Sequence, residues 1–321
     1  MKSIQELSAL ITDELGRIEY PKIPSLLYEP IDYILGLGGK RMRPILVLMA
    51  YQLFDKNIEK AFSPALAIEV FHNFTLLHDD IMDNAPLRRG QKTVHEKWNN
   101  NVAILSGDTM LVQAYQLIAQ VDDTIVKQVL AVFSKAAIQV CEGQQCDMDF
   151  ETQSDVSIPD YLKMIEYKTA VLLGAALQIG GITAGASKED QNHLYAFGRD
   201  LGIAFQLKDD LLDAFGDADA FGKQVGGDIM ANKKTYLYLK SLALADGTQR
   251  QNLEQYFSTN DTSQVKVDAV KTIFSNLKIP ELTTNLIREY HARAMENLAA
   301  INSENKEPLL AFSALLMDRV S

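Results

Sequence analysis

The sequence predicts an all-α fold, and three observations predict it. Apolar residues recur at helical spacing almost throughout the 321 residues, strand-like alternation of β-branched residues is nearly absent, and helix punctuation is legible at several points. The apolar fraction of 47% is ample for a large core.

The elements can be justified in order. Met1 to Tyr20 is amphipathic and mixed in charge, without the apolar core of a signal peptide. Gly36-Leu37-Gly38-Gly39 is a turn that leads into Lys40-Arg41-Met42-Arg43-Pro44 and an apolar helix. Ser63-Pro64 reads as an N-cap with proline at the first helical position, opening a helix that runs to about Asp83, before Asn84-Ala85-Pro86. Ser157 and Pro159 open another helix, which passes through Lys168 and ends near Gly180-Gly181. Ser187, with Asp190 three residues on, resembles a capping box and opens a helix that continues through Asp213 to Gly216. Gly198 and Gly202 within it would let a second helix approach closely. Phe215 to Asp228, with Gly216, Gly222, Gly226 and Gly227, has the composition of a mobile lid. No linker rich in Pro, Gly or Ser interrupts the chain, so a single domain over 1–321 is expected.

The balance of 31 basic against 42 acidic residues, a net charge of −11, argues against a nucleic-acid footprint. Cys141 and Cys146 have a spacing that fits no metal pattern, and two thiols cannot staple a chain of this size. No apolar run reaches transmembrane length, so a soluble, cytoplasmic protein is expected.

The chemistry lies in an acidic signature that occurs twice, Asp79-Asp80-Ile81-Met82-Asp83 and Asp209-Asp210-Leu211-Leu212-Asp213. Residues i and i+4 share a helix face, so Asp79 lies one turn from Asp83 and Asp209 one turn from Asp213. Carboxylates so close repel each other, and a helix C-terminus is already partly negative. Hard divalent cations are the natural answer, and Mg²⁺ suits a few carboxylates that leave room for water and phosphate. Zinc is disfavoured because no His or Cys stands at ligand spacing. A glycosidase carboxylate pair would not explain three acids per motif. The motifs lie 130 residues apart, so they cooperate only if their helices meet in one bundle.

Basic residues form the other half of the pattern. Lys40 and Arg43 follow the Gly-rich turn, Arg88-Arg89 follow the first acidic motif, Lys168 sits among apolar neighbours, and Lys223 and Lys233 belong to the second Gly-rich region. Guanidinium forks and ammonium groups beside Mg²⁺ are what a diphosphate requires. His72 lies two turns before Asp79 on nearly the same face.

In these residues the chain resembles the trans-isoprenyl diphosphate synthases, the polyprenyl synthetase family of head-to-tail prenyltransferases. The resemblance is carried by Gly38 to Pro44, His78 to Asp83 with Arg88-Arg89-Gly90, Gly143-Gln144 with Asp147, Lys168-Thr169, Phe205 to Asp213, and Gly222-Lys223 and Gly227-Asp228 with Lys233 and Thr235. It implies a helical bundle around a deep central cavity, a homodimer, and three Mg²⁺ ions. Asp79, Asp83 and Asp209 would be the main metal ligands, with Asp80 and Asp213 supporting, and Asp210 and Lys168 would belong with them to the catalytic set. Arg88, Lys168, Thr169, Gln206, Lys223 and Lys233 would hold the allylic diphosphate, and Lys40, Arg43, His72 and Arg89 would hold isopentenyl diphosphate. One departure is Asn232, where the family often has glycine; asparagine also tolerates left-handed backbone.

The resemblance implies that Phe71, Phe74 and Thr75 floor the elongation cavity. A bulky Phe74 beside a small Thr75 resembles the geranylgeranyl (C20) arrangement, with a farnesyl (C15) product as the alternative. A class I terpene cyclase would not carry Asp209 to Asp213 as a second such motif. A non-catalytic synthase subunit would have lost aspartates or diphosphate cations, and a head-to-head synthase would not need the isopentenyl-binding residues. Arg319 adds a further basic residue near the C-terminal end of the sequence.

Overall fold

The computed structural model describes residues 2–216 and 225–317. The expected all-α class holds. Helices α1 (Ile4–Gly16), α2 (Ser25–Gly36), α3 (Met42–Gln52) and α4 (Phe62–Met82) come first. A hairpin of two short strands, β1 (Leu87–Arg88) and β2 (Gln91–Lys92), separates them from α5 (Val94–Lys97), α6 (Asn100–Ile118) and α7 (Val126–Thr152). Then come α8 (Ile158–Ile165), a π-helical turn (Glu166–Ala170), α9 (Val171–Thr183) and α10 (Lys188–Phe215). The rest of the described chain forms α11 (Gly227–Met230), α12 (Tyr236–Leu244), α13 (Gly247–Phe257), α14 (Gln264–Asn276), α15 (Ile279–Ala300) and α16 (Glu307–Met317).

Two compact units are distinguished. The first comprises residues 1–135, 175–194 and 301–309; the second comprises 136–174, 195–300 and 310–321. In the first, α3 is buried from Pro44 to Gln52, and α4 is buried at every position from Pro64 to Phe71. Both are apolar around most of their circumference, as a helix surrounded by others must be. Close approach is bought with glycine: a Cβ on Gly107 of α6 would fall 2.2 Å from the His78 ring of α4, and one on Gly180 of α9 would fall 2.2 Å from the Val47 carbonyl of α3. In the second unit the core joins Tyr161, Ile203, Leu207, Leu237, Val267 and Phe274 with their neighbours. Burying each such large apolar side chain contributes about 1.5–3 kcal/mol.

Helix limits follow local chemistry, with two revisions. Ser157 and Asp160 make the reciprocal capping box that opens α8, and the Ser187 hydroxyl accepts from the Asp190 N–H at 3.1 Å at the start of α10. Ser63 is not an N-cap. The 3-10 turn Ile58–Ala61 runs straight into α4, and the Ser63 hydroxyl donates to the Leu117 carbonyl at the end of α6. The helix expected through Lys168 contains a wider turn at Glu166–Ala170, and the chain remains helical to Thr183. Gly202, expected to permit close packing, does so: its Cβ would lie 2.7 Å from the Ala170 Cα. Gly180→Ala is expected to destabilise the protein by about 1–3 kcal/mol, because the added methyl meets backbone that cannot swing aside. A lower midpoint in urea with an unchanged m-value would show it.

Candidate active site

In the first unit the site residues gather around the C-terminal end of α4. The helix ends at Met82 with Asp83 as its exposed C-cap, and Asp79 is half-buried one turn before it. Asp80 faces inward and is 2% exposed. It is answered by Arg88, whose Nε lies 2.9 and 2.8 Å from the two carboxylate oxygens and whose Nη2 lies 2.7 Å from Oδ1. This fork is possible because Arg88 ends β1 while Arg89 and Gly90, both at positive φ, form the turn. The two neighbouring arginines therefore diverge. Arg89 donates to the Gly38 carbonyl, and a Cβ on Gly39 would fall 2.6 Å from its guanidinium.

The Gly38-Gly39 turn, with φ of 77° and 125°, delivers Lys40 exposed and Arg41 buried. Arg41, itself at φ 46°, pairs with the buried Glu69 of α4 and donates to the Leu35 carbonyl. Asn73 completes this group, donating to the Glu69 carboxylate at 2.9 Å. The neighbouring Arg43 then reaches His72, Nη1 to Nε2, at 3.0 Å. Burial, and then the positive field of Arg43, Arg89, Arg88 and Arg41, hold the His72 pKa well below its ordinary value. His72 is thus a neutral acceptor that orients Arg43 without adding charge. Beside this turn opens a cavity of about 740 Å³, lined in part by Tyr33, Leu37, Arg89, Gln91 and Trp98.

Below the aspartates, Phe71 and Phe74 pack with ring centroids 5.6 Å apart, and Phe74 lies edge-on to His78 at 4.7 Å. Phe133 of α7 meets Phe71 edge-on at 5.3 Å, and Tyr115 of α6 meets Phe133 at 5.0 Å. Thr75 turns its hydroxyl back to the His72 carbonyl at 2.8 Å. Phe133 and Tyr115 could not be selected from sequence, because only packing places them against Phe71.

In the second unit α10 supplies Asp209, Asp210 and Asp213. Asp210 is 6% exposed and accepts from the Tyr161 hydroxyl and, at 3.2 Å, from the Gln206 amide. Gln206 in turn accepts from Thr169 at 3.3 Å. Asp213 accepts from the Asp228 N–H at 2.9 Å, and Asp228 lies 3.5 Å from the Lys233 ammonium. Lys168 pairs with Asp147 of α7 at 2.5 Å. The π-helical turn carries Lys168 and Thr169 past α7 at a distance only glycine allows, since a Cβ on Gly143 would lie 2.2 Å from the Lys168 nitrogen. Lys223 lies outside the described residues, as does Arg319. Asp228 and Asp147 stood within recognised motifs without an assigned role; Tyr161 carried no sequence signal.

The second acidic group is charged to the limit of what its own side chains can neutralise. Burial, then the nearby Asp228, push Asp210 up to about 7, and the same two causes push Asp213 up to about 6. Asp228 is also raised, first by burial. Burial works against the Lys233 ammonium, but Asp228, Asp147 and Asp210 together hold its pKa above the ordinary value. Among the described residues no three His, Cys, Asp or Glu side chains converge as a ready-made metal centre. The donor set nevertheless fits Mg²⁺, which binds through one or two carboxylates with water and phosphate completing the shell. Metal ligands must be deprotonated, so a cation bound here would displace the protons that burial favours on these carboxylates.

The family model described as Polyprenyl synthetase matches residues 24–276, and the chain belongs to that family. It is 36% identical over 287 residues to the geranylgeranyl diphosphate synthase of Sulfolobus acidocaldarius, covering 88% of this chain and 86% of that one. It is 41% identical over 220 residues to the geranylgeranyl diphosphate synthase of Methanosarcina mazei, covering 68% of each. A crystal structure of a geranylgeranyl pyrophosphate synthase superposes with a TM-score of 0.95 at 46% identity, over 100% of both chains.

The raised carboxylates set a pH dependence. Their pKa values are higher folded than unfolded, so the native state holds protons that the unfolded chain releases, and stability falls as pH rises. Without divalent cation, the melting temperature is expected to drop between the ordinary carboxylate range and about 7, the value to which Asp210 is raised. Asp210→Asn should flatten that slope in a calorimetric pH series.

Proposed function

We propose that this chain is a Mg²⁺-dependent head-to-tail prenyltransferase that condenses isopentenyl diphosphate with allylic diphosphates to all-trans geranylgeranyl diphosphate. The observation that carries the reading is the doubled arrangement just described: two helices each present carboxylates, and each group has diphosphate-type cations in its own unit. We propose further that the chain acts as one domain over 1–321.

Asp79, Asp83 and Asp209 would hold Mg²⁺, three ions per site, with Asp213 in support. Asp80 and Asp210 are the buried members that fix each motif. Bound divalent cations supply Lewis-acid neutralisation of charge on a departing diphosphate. Lys168, Lys233, Arg88, Thr169 and Gln206, with Lys223, hold the allylic diphosphate and stabilise the charge that grows on it as the C–O bond ionises. Lys40, Arg43 and Arg89 hold isopentenyl diphosphate, with His72 orienting Arg43. The isopentenyl double bond attacks the allylic cation, and the leaving diphosphate removes the proton that restores an alkene. No general base from the chain is needed, and exclusion of water protects the cation.

The buried Phe71–Phe74–Phe133 cluster supports a floor at the C20 length. A homodimer is supported by α6, whose Ile104, Leu105 and Val112 form an exposed apolar stripe. Among the described residues no helix is long and apolar enough to cross a membrane, and Cys141 and Cys146 are not disulfide-linked, which supports a cytoplasmic location.

The test is incubation with Mg²⁺, labelled isopentenyl diphosphate and dimethylallyl, geranyl or farnesyl diphosphate, with the dephosphorylated products sized. A discrete C20 alcohol is expected; no elongation from any starter would refute the reading. Asp79→Ala or Asp209→Ala should each lower kcat by about 10²-fold or more with the helical circular dichroism retained. Phe74→Ala should shift the product beyond C20, and an unchanged product would place the floor elsewhere.

A further inference from the structure

In the segment between α11 and α12, Asn232, Lys233 and Lys234 follow one another, and Lys233 faces Asp228 of the carboxylate group. Its neighbours are tied to other elements. Lys234 donates from Nζ to the carbonyls of Phe150 at 2.5 Å and Gln153 at 2.8 Å, at the C-terminal end of α7, where a cation is favoured. Asn232 stands at φ 56°, a left-handed backbone that glycine would adopt more readily. Its side chain nevertheless has two partners. Nδ2 donates to the Thr259 carbonyl at 2.8 Å, and Oδ1 accepts from the ammonium of Lys266. Lys266 is fully buried. A buried ammonium is expensive unless hydrogen-bonded, so this contact is strongly constrained. The Lys233 N–H donates to the Asp228 carbonyl at 2.9 Å, so the backbone is pinned as well.

We infer that Asn232, held by Lys266 and Thr259, is a positioning residue that sets where the Lys233 ammonium meets the allylic diphosphate. A glycine would supply the turn but not the tether. Asparagine supplies both, linking α14 and the loop before it to the carboxylate group. The inference rests on the assignment of Lys233 to the allylic diphosphate made above.

The experiment compares wild type with Asn232→Gly, Asn232→Asp, Lys266→Met and Lys233→Ala, reading KM for geranyl diphosphate, KM for isopentenyl diphosphate, kcat and melting temperature. Asn232→Gly keeps the backbone conformation and removes the tether. It is expected to raise KM for geranyl diphosphate about tenfold, since small misplacement of a binding group is costly, with KM for isopentenyl diphosphate unchanged. Asn232→Asp keeps the acceptor for Lys266 and should restore most of that loss. Lys266→Met, where it folds, should reproduce the Asn232→Gly split. A wild-type KM for geranyl diphosphate in Asn232→Gly, or an equal rise in both KM values, would overturn the inference while Lys233→Ala still weakens geranyl diphosphate. If Lys233→Ala leaves that KM unchanged, the assignment of Lys233 fails and the inference falls with it.

Discussion

The structure depends on how it manages closely spaced carboxylates at the ends of two helices. Each acidic motif places three aspartates within about one turn, on the end of a helix that is already partly negative. In both, the second aspartate is turned inward and answered by the protein itself. Asp80 is gripped by the Arg88 fork, while Asp210 is held by the neutral donors Tyr161 and Gln206. The remaining members differ in exposure: Asp83 is exposed, Asp79 and Asp209 are half-buried, and Asp213 accepts from the Asp228 N–H. The first motif is followed by two arginines on a hairpin, whereas the lysines of the second unit pair with Asp147 and Asp228.

The cations are held with similar economy. Arg41 is internal, its charge matched by Glu69, and that pair ties the Gly38-Gly39 turn to α4. With Arg41 matched, Arg43 reaches His72, which burial keeps neutral, so its positive charge is not cancelled by its neighbour. Lys168 and Lys233 rest on Asp147 and Asp228, carboxylates that hold each ammonium in place. Such ion pairs, more than a quarter exposed on the lysine side, contribute modestly to stability and chiefly fix geometry.

Glycine and the π-helical turn make these placements compatible with dense packing. Gly39 admits the Arg89 guanidinium, Gly143 admits the backbone at Lys168, and Gly202 admits Ala170. At Gly143 and Gly202 a β-carbon would overlap backbone atoms that have nowhere to go. The wide turn at Glu166–Ala170 shifts the register of the helix, so that Lys168 and Thr169 reach polar partners while Val171 to Leu173 remain buried.

Most of the fold was legible in the sequence, because helices announce themselves locally: apolar periodicity, the Ser157 and Ser187 boxes, and the glycines after α10. The acidic motifs, the basic pairs and the likeness to polyprenyl synthetases were legible too, since a chemistry that needs many charges leaves them in the chain in order. The start of α4 was misread at Ser63, because a hydroxyl that could cap a helix instead donates to the Leu117 carbonyl, a partner distant in sequence. Tyr161, Phe133, Glu69 and Lys266 were invisible for the same reason: each acts through a neighbour 20 or more residues away, as Tyr161 does on Asp210. The sequence by itself determined the helices, the charge groups and the class of chemistry, because these depend on residue type and spacing. Tertiary structure alone decided which aspartate is buried, which cation is matched and which ring meets Phe71, because those are set by packing between segments that no local pattern connects.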